Sequence, residues 1–331
     1  MGVKRIKWLD WANVLAMACV VWFHVPSALE LPVRHAEYVI VNVTFFILSG
    51  FSFSLTGYQA VPFRQFVRRI AQRLILPTAV FYFAFYVLWL IVGKRLGGDV
   101  AEWYAPLLEF ATGNFSLVLA TYWFVVSLVT MQLACYVLGR TVRNRSAMAL
   151  VCGAGATATL FIGYVPFLCL TATLQFLPFF ALGCFACGAV TARARWRNVC
   201  LIALGEALYF ALANITDTET GYSVGEALAG CAVCAVVCGG AVALSRTDSG
   251  TWAMQLLRYG ALVLLATQNY IIGLCRVFLD KVSAEHDFLA SHFVLKPLVF
   301  VCVYVVTVPV IILVKRKCPC ILGRRTAPAK Q

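Results

Sequence analysis

Long apolar runs broken by short polar stretches set the rhythm of this chain. Ten can be drawn, at 9–29, 36–57, 74–93, 117–139, 146–163, 167–190, 198–214, 224–244, 258–279 and 293–314. Most approach the roughly 20 apolar residues that carry an α-helix across a hydrocarbon core. The runs are continuous, whereas a membrane β-barrel alternates apolar and polar residues in stretches of about ten. The pattern therefore predicts an all-α, polytopic transmembrane helix bundle of about ten spans. Residues 103–115 break the rhythm. Their Glu109 and Asn114, with Glu102 just before, predict an external loop or re-entrant piece. Met1–Val25 has the basic start and apolar core of a signal peptide but no small-x-small cleavage site, so it reads as a retained first span.

Charge fixes the expected orientation. With the N-terminus inside, every Lys and Arg except Arg34, Lys94, Arg95, Arg276, Lys281 and Lys296 falls on the cytoplasmic side of the ten spans. The acidic residues gather mostly on the other side, among them Glu30, Glu37, Asp99, Glu102 and Glu109. Alternation of this kind obeys the positive-inside rule and predicts an even number of spans with both termini cytoplasmic. One membrane-embedded domain is expected over 1–314, followed by a short basic tail at 315–331. A tail that short leaves no room for a soluble domain, so any relay to a further protein is expected to use a separate chain.

Composition agrees with a bilayer as solvent. The chain is 62% hydrophobic and 12% charged, with a mean hydropathy of +0.86, against about half apolar and a quarter charged for a soluble domain. The net charge of +13 is spread over short clusters between spans and forms no single basic face, which argues against nucleic acid. Most of the 14 Cys lie inside apolar runs, where Cys acts as a small hydrophobe. The Cys184/Cys187 and Cys231/Cys234 spacings fall within such runs and read as helix packing. Cys318 and Cys320 alone are too few for a zinc site, and no metal is expected.

Ionisable residues inside spans are costly and therefore candidates for function. Asp10 and His24 bracket the first span, about 21 Å apart along a helix at ~1.5 Å per residue. A neutral imidazole at that depth can act as a base, or it can simply bond to a neighbouring helix. In the stretch Phe63–Pro77, a helix would bring Arg69 and Arg73 onto one face at the third span's cytoplasmic edge. Two guanidinium forks there suit the phosphates of a nucleotide-like ligand, or they anchor the span on lipid phosphate. Glu206, Gln175, Gln268 and Asn269 also lie within spans. Nothing in the sequence gives Glu206 a task.

Several short motifs, in order over residues 5–190, resemble membrane acyltransferase family 3, the integral O-acyltransferases of bacterial cell-surface glycans. Arg5 to His24 looks like that family's opening Leu-Asp motif followed by a His near the helix end. Val43-Thr-Phe-Phe-Ile-Leu-Ser-Gly-Phe51 is similar to its Phe-Phe-x-x-Ser-Gly-Phe signature. Phe66-Val-Arg-Arg-Ile-Ala-Gln-Arg-Leu-Ile-Leu-Pro77 matches its Arg-rich approach to the third helix. Tyr122-Trp123-Phe124 and Phe176–Gly183 are similar to weaker family patterns. Eleven residues before the His, where the family usually has Lys or Arg, stands Asn13.

The resemblance implies a multi-pass protein of the bacterial inner membrane that moves an acyl group from cytoplasmic acetyl-CoA to a hydroxyl of a cell-surface or lipid-linked glycan. It implies a catalytic His24, as base or as transient acyl carrier, supported by Asp10 near the cytoplasmic end. Asp10 would hold Arg5, Arg69 or Arg73 in place. Arg68, Arg69 and Arg73 would bind the donor's phosphates, and Ser49 and Trp123 would contact substrate. Trp123 equally fits an interfacial belt. An exporter of a glycan or lipid-linked intermediate, or a family member without activity, would show the same hydropathy. Oligomeric state leaves no mark in the sequence.

Overall fold

The computed structural model describes residues 6–25, 31–55, 57, 61–92, 102–142, 144–186, 192–216, 221–247, 250–283 and 292–319. Arg5, Lys94, Arg95, Cys187, Cys320 and the rest of the tail, named above, lie outside the described residues. Within them the chain is helical and contains no strand. In hydrocarbon each backbone N–H and C=O must be satisfied within its own segment, and a helix does this for a continuous apolar run.

The helices are α1 (Lys7–His24), α2 (Leu31–Leu55), α3 (Phe63–Ile70), α4 (Leu76–Val92), α5 (Ala105–Thr112), α6 (Trp123–Thr141), α7 (Arg145–Gly153), α8 (Gly155–Ile162), α9 (Leu170–Ala186), α10 (Ala192–Ile215), α11 (Val224–Ser245), α12 (Thr251–Tyr259), α13 (Ala261–Ser283) and α14 (His292–Lys317). Each of the ten apolar runs falls on one or two of them. Among the described residues, seven helical runs are long and apolar enough to cross a membrane. The pair α7–α8, bent by 41°, makes an eighth if it is one span. Lys7, Asp10, Asn13 and His24 make α1 more polar than these seven, and the apolar part of α13 is shorter, Ala261–Cys275.

Three local features differ from the simple pattern. Residues 105–112 form a two-turn helix ended by Gly113 in the left-handed region (φ 71°). Glu109 pins it, accepting bonds from the Ser116 hydroxyl, from Ser116 N at 2.8 Å and from Leu117 N at 3.0 Å, while the Tyr82 hydroxyl donates to Pro106 O at 2.7 Å. The run 258–279 is broken at Gly260, where any side chain would overlap Ile311 of α14. Arg258 thereby ends a separate helix, α12, which packs on α1 and α14. The basic tail begins as helix, since α14 continues through Lys317.

Small residues set how closely the central helices approach. A Cβ at Gly50 of α2 would overlap the Phe180 carbonyl of α9, and one at Gly183 of α9 would overlap the Ile47 carbonyl of α2. The Cys184 thiol closes the same seam on Gly50 O at 3.3 Å, which is the packing role expected of a Cys in a span. Gly153 and Gly205 meet in the same way between α7 and α10. Without a hydrophobic drive between helices in lipid, such close approach is the main source of association. α1 packs on α2, α11 and α12, so both ends of α1 face cavities walled by other helices.

Candidate functional site

The two polar ends of α1 define two ends of one cavity system. At the first end Asp10 is buried, and Arg258 of α12 reaches it. Arg258 Nη1 donates to Asp10 Oδ2 at 3.1 Å, and Nε lies 3.0 Å from Oδ1. The cation that grips Asp10 in this pair is thus Arg258, which the local sequence pattern does not single out. Beside the pair opens a cavity of about 310 Å³, whose wall includes Asn13, Ser49, Arg69, Arg73, Gln132 and Arg258. Asn13 turns its amide back onto Leu9 O at 2.8 Å.

Arg69 and Arg73 reach this cavity from a helical run that is not a plain α-helix. α3 passes into a π-helical turn at Ala71–Ile75 before α4 begins, so Arg69 stands before the turn and Arg73 inside it. Phe66 and Ile70 of the same run are buried, Ile70 in the wall of this cavity between the two arginines and Phe66 stacked on Tyr136 at 4.2 Å. Arg64 and Arg68 are exposed and lie outside the cavity lining.

An adjoining cavity of about 460 Å³ shares Arg73, Leu74, Leu128, Arg258 and Ala261 with the first. It continues past Met17, Phe45, Phe124 and Leu265, which also wall a smaller cavity of about 40 Å³ at the far end of α1. His24 lines that far cavity, with Tyr38, Asn42, Thr121 and Trp123 around it. All three cavities take part of their walls from the same helices: α1, α2, α6 and α13.

His24 is half-buried. Its Nδ1 lies 2.7 Å from Val20 O. A carbonyl can only accept, so Nδ1 carries the proton, and the neutral ring leaves Nε2 unprotonated, the tautomer a base requires. Tyr38 and Trp123 face each other at 5.9 Å, and Phe176 of α9 sits 6.4 Å from each. Asn42 Nδ2 donates to Tyr38 O at 2.8 Å, and the Thr121 hydroxyl donates to Leu265 O at 3.0 Å. Trp123 thus stands at the His24 end and Ser49 at the arginine end, so the two residues singled out for substrate contact belong to different cavities.

Glu206 stands apart. Its Oε2 accepts from the Tyr222 hydroxyl at 2.9 Å, and it borders a separate, almost wholly apolar cavity between α9, α10 and α11. Tyr38, Asn42, Thr121, Gln132 and Arg258 are the site residues that sequence motifs missed. None of them stands out locally, and Arg258, a cation at the edge of an apolar run, reads there as a topology signal.

The cavities set cations near one end of α1 and an imidazole near the other, within a bundle of apolar helices. A family model described as an acyltransferase domain, family 3, matches residues 6–316, and the chain belongs to that family. It is therefore an acyltransferase of multi-pass membrane type. No curated protein matches the chain, and no solved structure does.

Proposed function

We propose that this chain moves an acetyl group from cytoplasmic acetyl-CoA to a hydroxyl of a cell-surface or lipid-linked glycan, and that it does so from the bacterial inner membrane with ten spans and both termini inside. The observation that supports this reading is the row of neighbouring cavities with shared walls, Arg69 and Arg73 lining one end and His24 the other. A donor with phosphates at one end and a thioester at the other fits such a row end to end. Its phosphates take charge-assisted hydrogen bonds from Arg69 and Arg73, with Arg64 and Arg68 adding cytoplasmic charge nearby. Its apolar arm passes Met17, Phe45 and Leu265 to reach His24.

At the far end the acceptor hydroxyl meets Nε2 of His24. The imidazole takes the hydroxyl proton as the oxygen attacks the thioester carbonyl, the C–S bond breaks, and the departing thiolate receives the proton. Ester and free thiol result, and the ring returns to its starting tautomer. A positioned base of this kind contributes about 10²–10⁴-fold in rate. The Val20 carbonyl holds the ring's tautomer, and the Tyr38–Trp123 pair supplies a flat wall for the acceptor or the arm. Asp10 lies too far from His24 to share the proton, so its role is at the donor end.

The test is transfer of label from radiolabelled acetyl-CoA into glycan or lipid-linked sugar, in membranes holding wild type, His24→Ala or Arg69→Ala at equal levels. The wild type is expected to label its acceptor. His24→Ala is expected to lose about 10²-fold or more at saturating donor, and Arg69→Ala to lose mainly affinity for donor. Equal labelling by all three would remove the site assignment, and no label from the wild type with any donor would remove the acetyl-CoA reading.

A further inference from the structure

The basic cavity holds a third guanidinium besides the two that the motifs pointed to. We propose that Arg258, aimed by Asp10, is a further anion-binding residue of the donor cavity, and that the cavity accordingly takes a donor bearing at least two separate phosphate groups. The proposal deepens the acetyl-CoA reading and rests on it.

Three observations carry it. First, Arg258 lines both cavities at the cytoplasmic end, together with Arg73, and no acidic residue lines either one. Guanidinium groups on several sides of one hollow suit an anion placed between them. Second, the ion pair is lopsided: the Asp10 side chain is 5% exposed and that of Arg258 is 38% exposed. The carboxylate is sealed behind the guanidinium, and the cation is what opens outward. A planar guanidinium has five N–H donors, and contact with one carboxylate cannot engage them all. Third, the cations come from separate elements: Arg69 from α3, Arg73 from the π turn and Arg258 from α12. A diphosphate with a further phosphate on its ribose, as in CoA, presents anions at separate points to cations carried on separate elements.

On this reading Asp10 is a positioning residue. It fixes the plane of the Arg258 fork and takes no part in proton transfer at His24. The competing account is a purely structural ion pair between α1 and α12. The two differ in what a neutral replacement does. A structural pair is satisfied by two neutral hydrogen-bonding side chains, but anion binding is not.

The experiment measures equilibrium binding of CoA, 3′-dephospho-CoA and pantetheine to the full chain in lipid nanodiscs, alongside kcat and KM for acetyl-CoA. The variants are Arg258→Lys, Arg258→Gln and the double Asp10→Asn/Arg258→Gln, each checked for thermal midpoint. The wild type is expected to bind CoA most tightly and pantetheine most weakly. The double variant is expected to unfold within a few degrees of wild type yet bind CoA about 10–100-fold more weakly, the loss of one charge-assisted contact. Its pantetheine binding should change by less than about threefold, and its KM for acetyl-CoA should rise in step with the lost CoA affinity. Arg258→Lys should recover part of the affinity because the charge remains. A folded double variant that binds CoA as tightly as wild type would overturn the role of Arg258 and leave the donor reading standing. Failure of the wild type itself to bind CoA would overturn the donor reading and this assignment with it.

Discussion

Lys296 shows how much one side chain can carry in this bundle. It is 1% exposed, its Nζ lies 3.3 Å from Glu37 Oε1, and the same ammonium stands 5.1 Å from the centre of the Trp22 ring. Trp22 and Glu37 are close in sequence to His24 and Tyr38, so this pair ties α14 to the two helices that wall the His24 cavity. Breaking a buried ion pair costs about 3–5 kcal/mol. Glu37 keeps some water, at 27% exposure, so Lys296→Met is expected to cost about 2 kcal/mol. Thermal unfolding in detergent measures this, and the double Glu37→Gln/Lys296→Met should regain most of the loss. An unchanged midpoint in the single variant would show that the pair contributes nothing. At this scale the sequence drew attention to residues inside the family-like motifs, as it did for His24, Arg69, Arg73 and Trp123. Arg258 could not be found that way. Its partner is 248 residues distant, and one more cation at a span edge looks like any other topology signal.

Among elements, the α2–α9 crossing governs the site. α2 brings Tyr38, Asn42 and Ser49 to the cavities, and its distance from α9 is set by Gly50 and Gly183. Enlarging either residue must separate the helices, since the obstruction is backbone carbonyl and cannot swing aside. Gly50→Ala or Gly183→Ala is expected to cost about 1–3 kcal/mol and to lower transfer activity together with stability. Gly239→Ala is the control. Nothing lies within 4 Å of a Cβ there, and alanine suits a helix better than glycine by up to about 1 kcal/mol. A fall in midpoint at Gly239 equal to that at Gly50 would remove the close-approach explanation. The Phe-Phe-x-x-Ser-Gly-Phe motif drew attention to Gly50, but its partner carbonyl on α9 is a tertiary fact that no local pattern contains. The break at Gly260 is likewise marked by no local pattern, and Ile311 of α14, which packs close against that glycine, is remote in sequence.

For the whole molecule, hydropathy and charge placed nearly every helix, because the bilayer imposes the same length and polarity on each span. They could not show the bend between α7 and α8, the two-turn α5 or the separation of α12 from α13, which arise from contacts between elements. Both termini are proposed to lie in the cytoplasm, and reporter fusions after Gln331 check this. A fused green fluorescent protein is expected to fluoresce, and a fused alkaline phosphatase is expected to stay inactive. The reverse result would require either an odd number of spans or both termini outside, and would put Lys315, Arg316 and Lys317 on the outer face, against the positive-inside rule.

The π turn at Ala71–Ile75 has a consequence for inheritance. A π turn amounts to one surplus residue in an otherwise regular helix. Deleting a single codon within it is expected to restore an ordinary helix, with a more regular ladder of backbone bonds. The surplus residue is absorbed within the turn, so the deletion leaves Arg69 nearly in register with everything beyond Leu76 and disturbs the residues of the turn itself, Arg73 among them. The altered gene would still encode a chain that inserts and folds, and on the proposed reading its place for Arg73 at the donor cavity would change. At this point along the chain, a mutation that improves the helix is one that weakens the proposed hold on the donor.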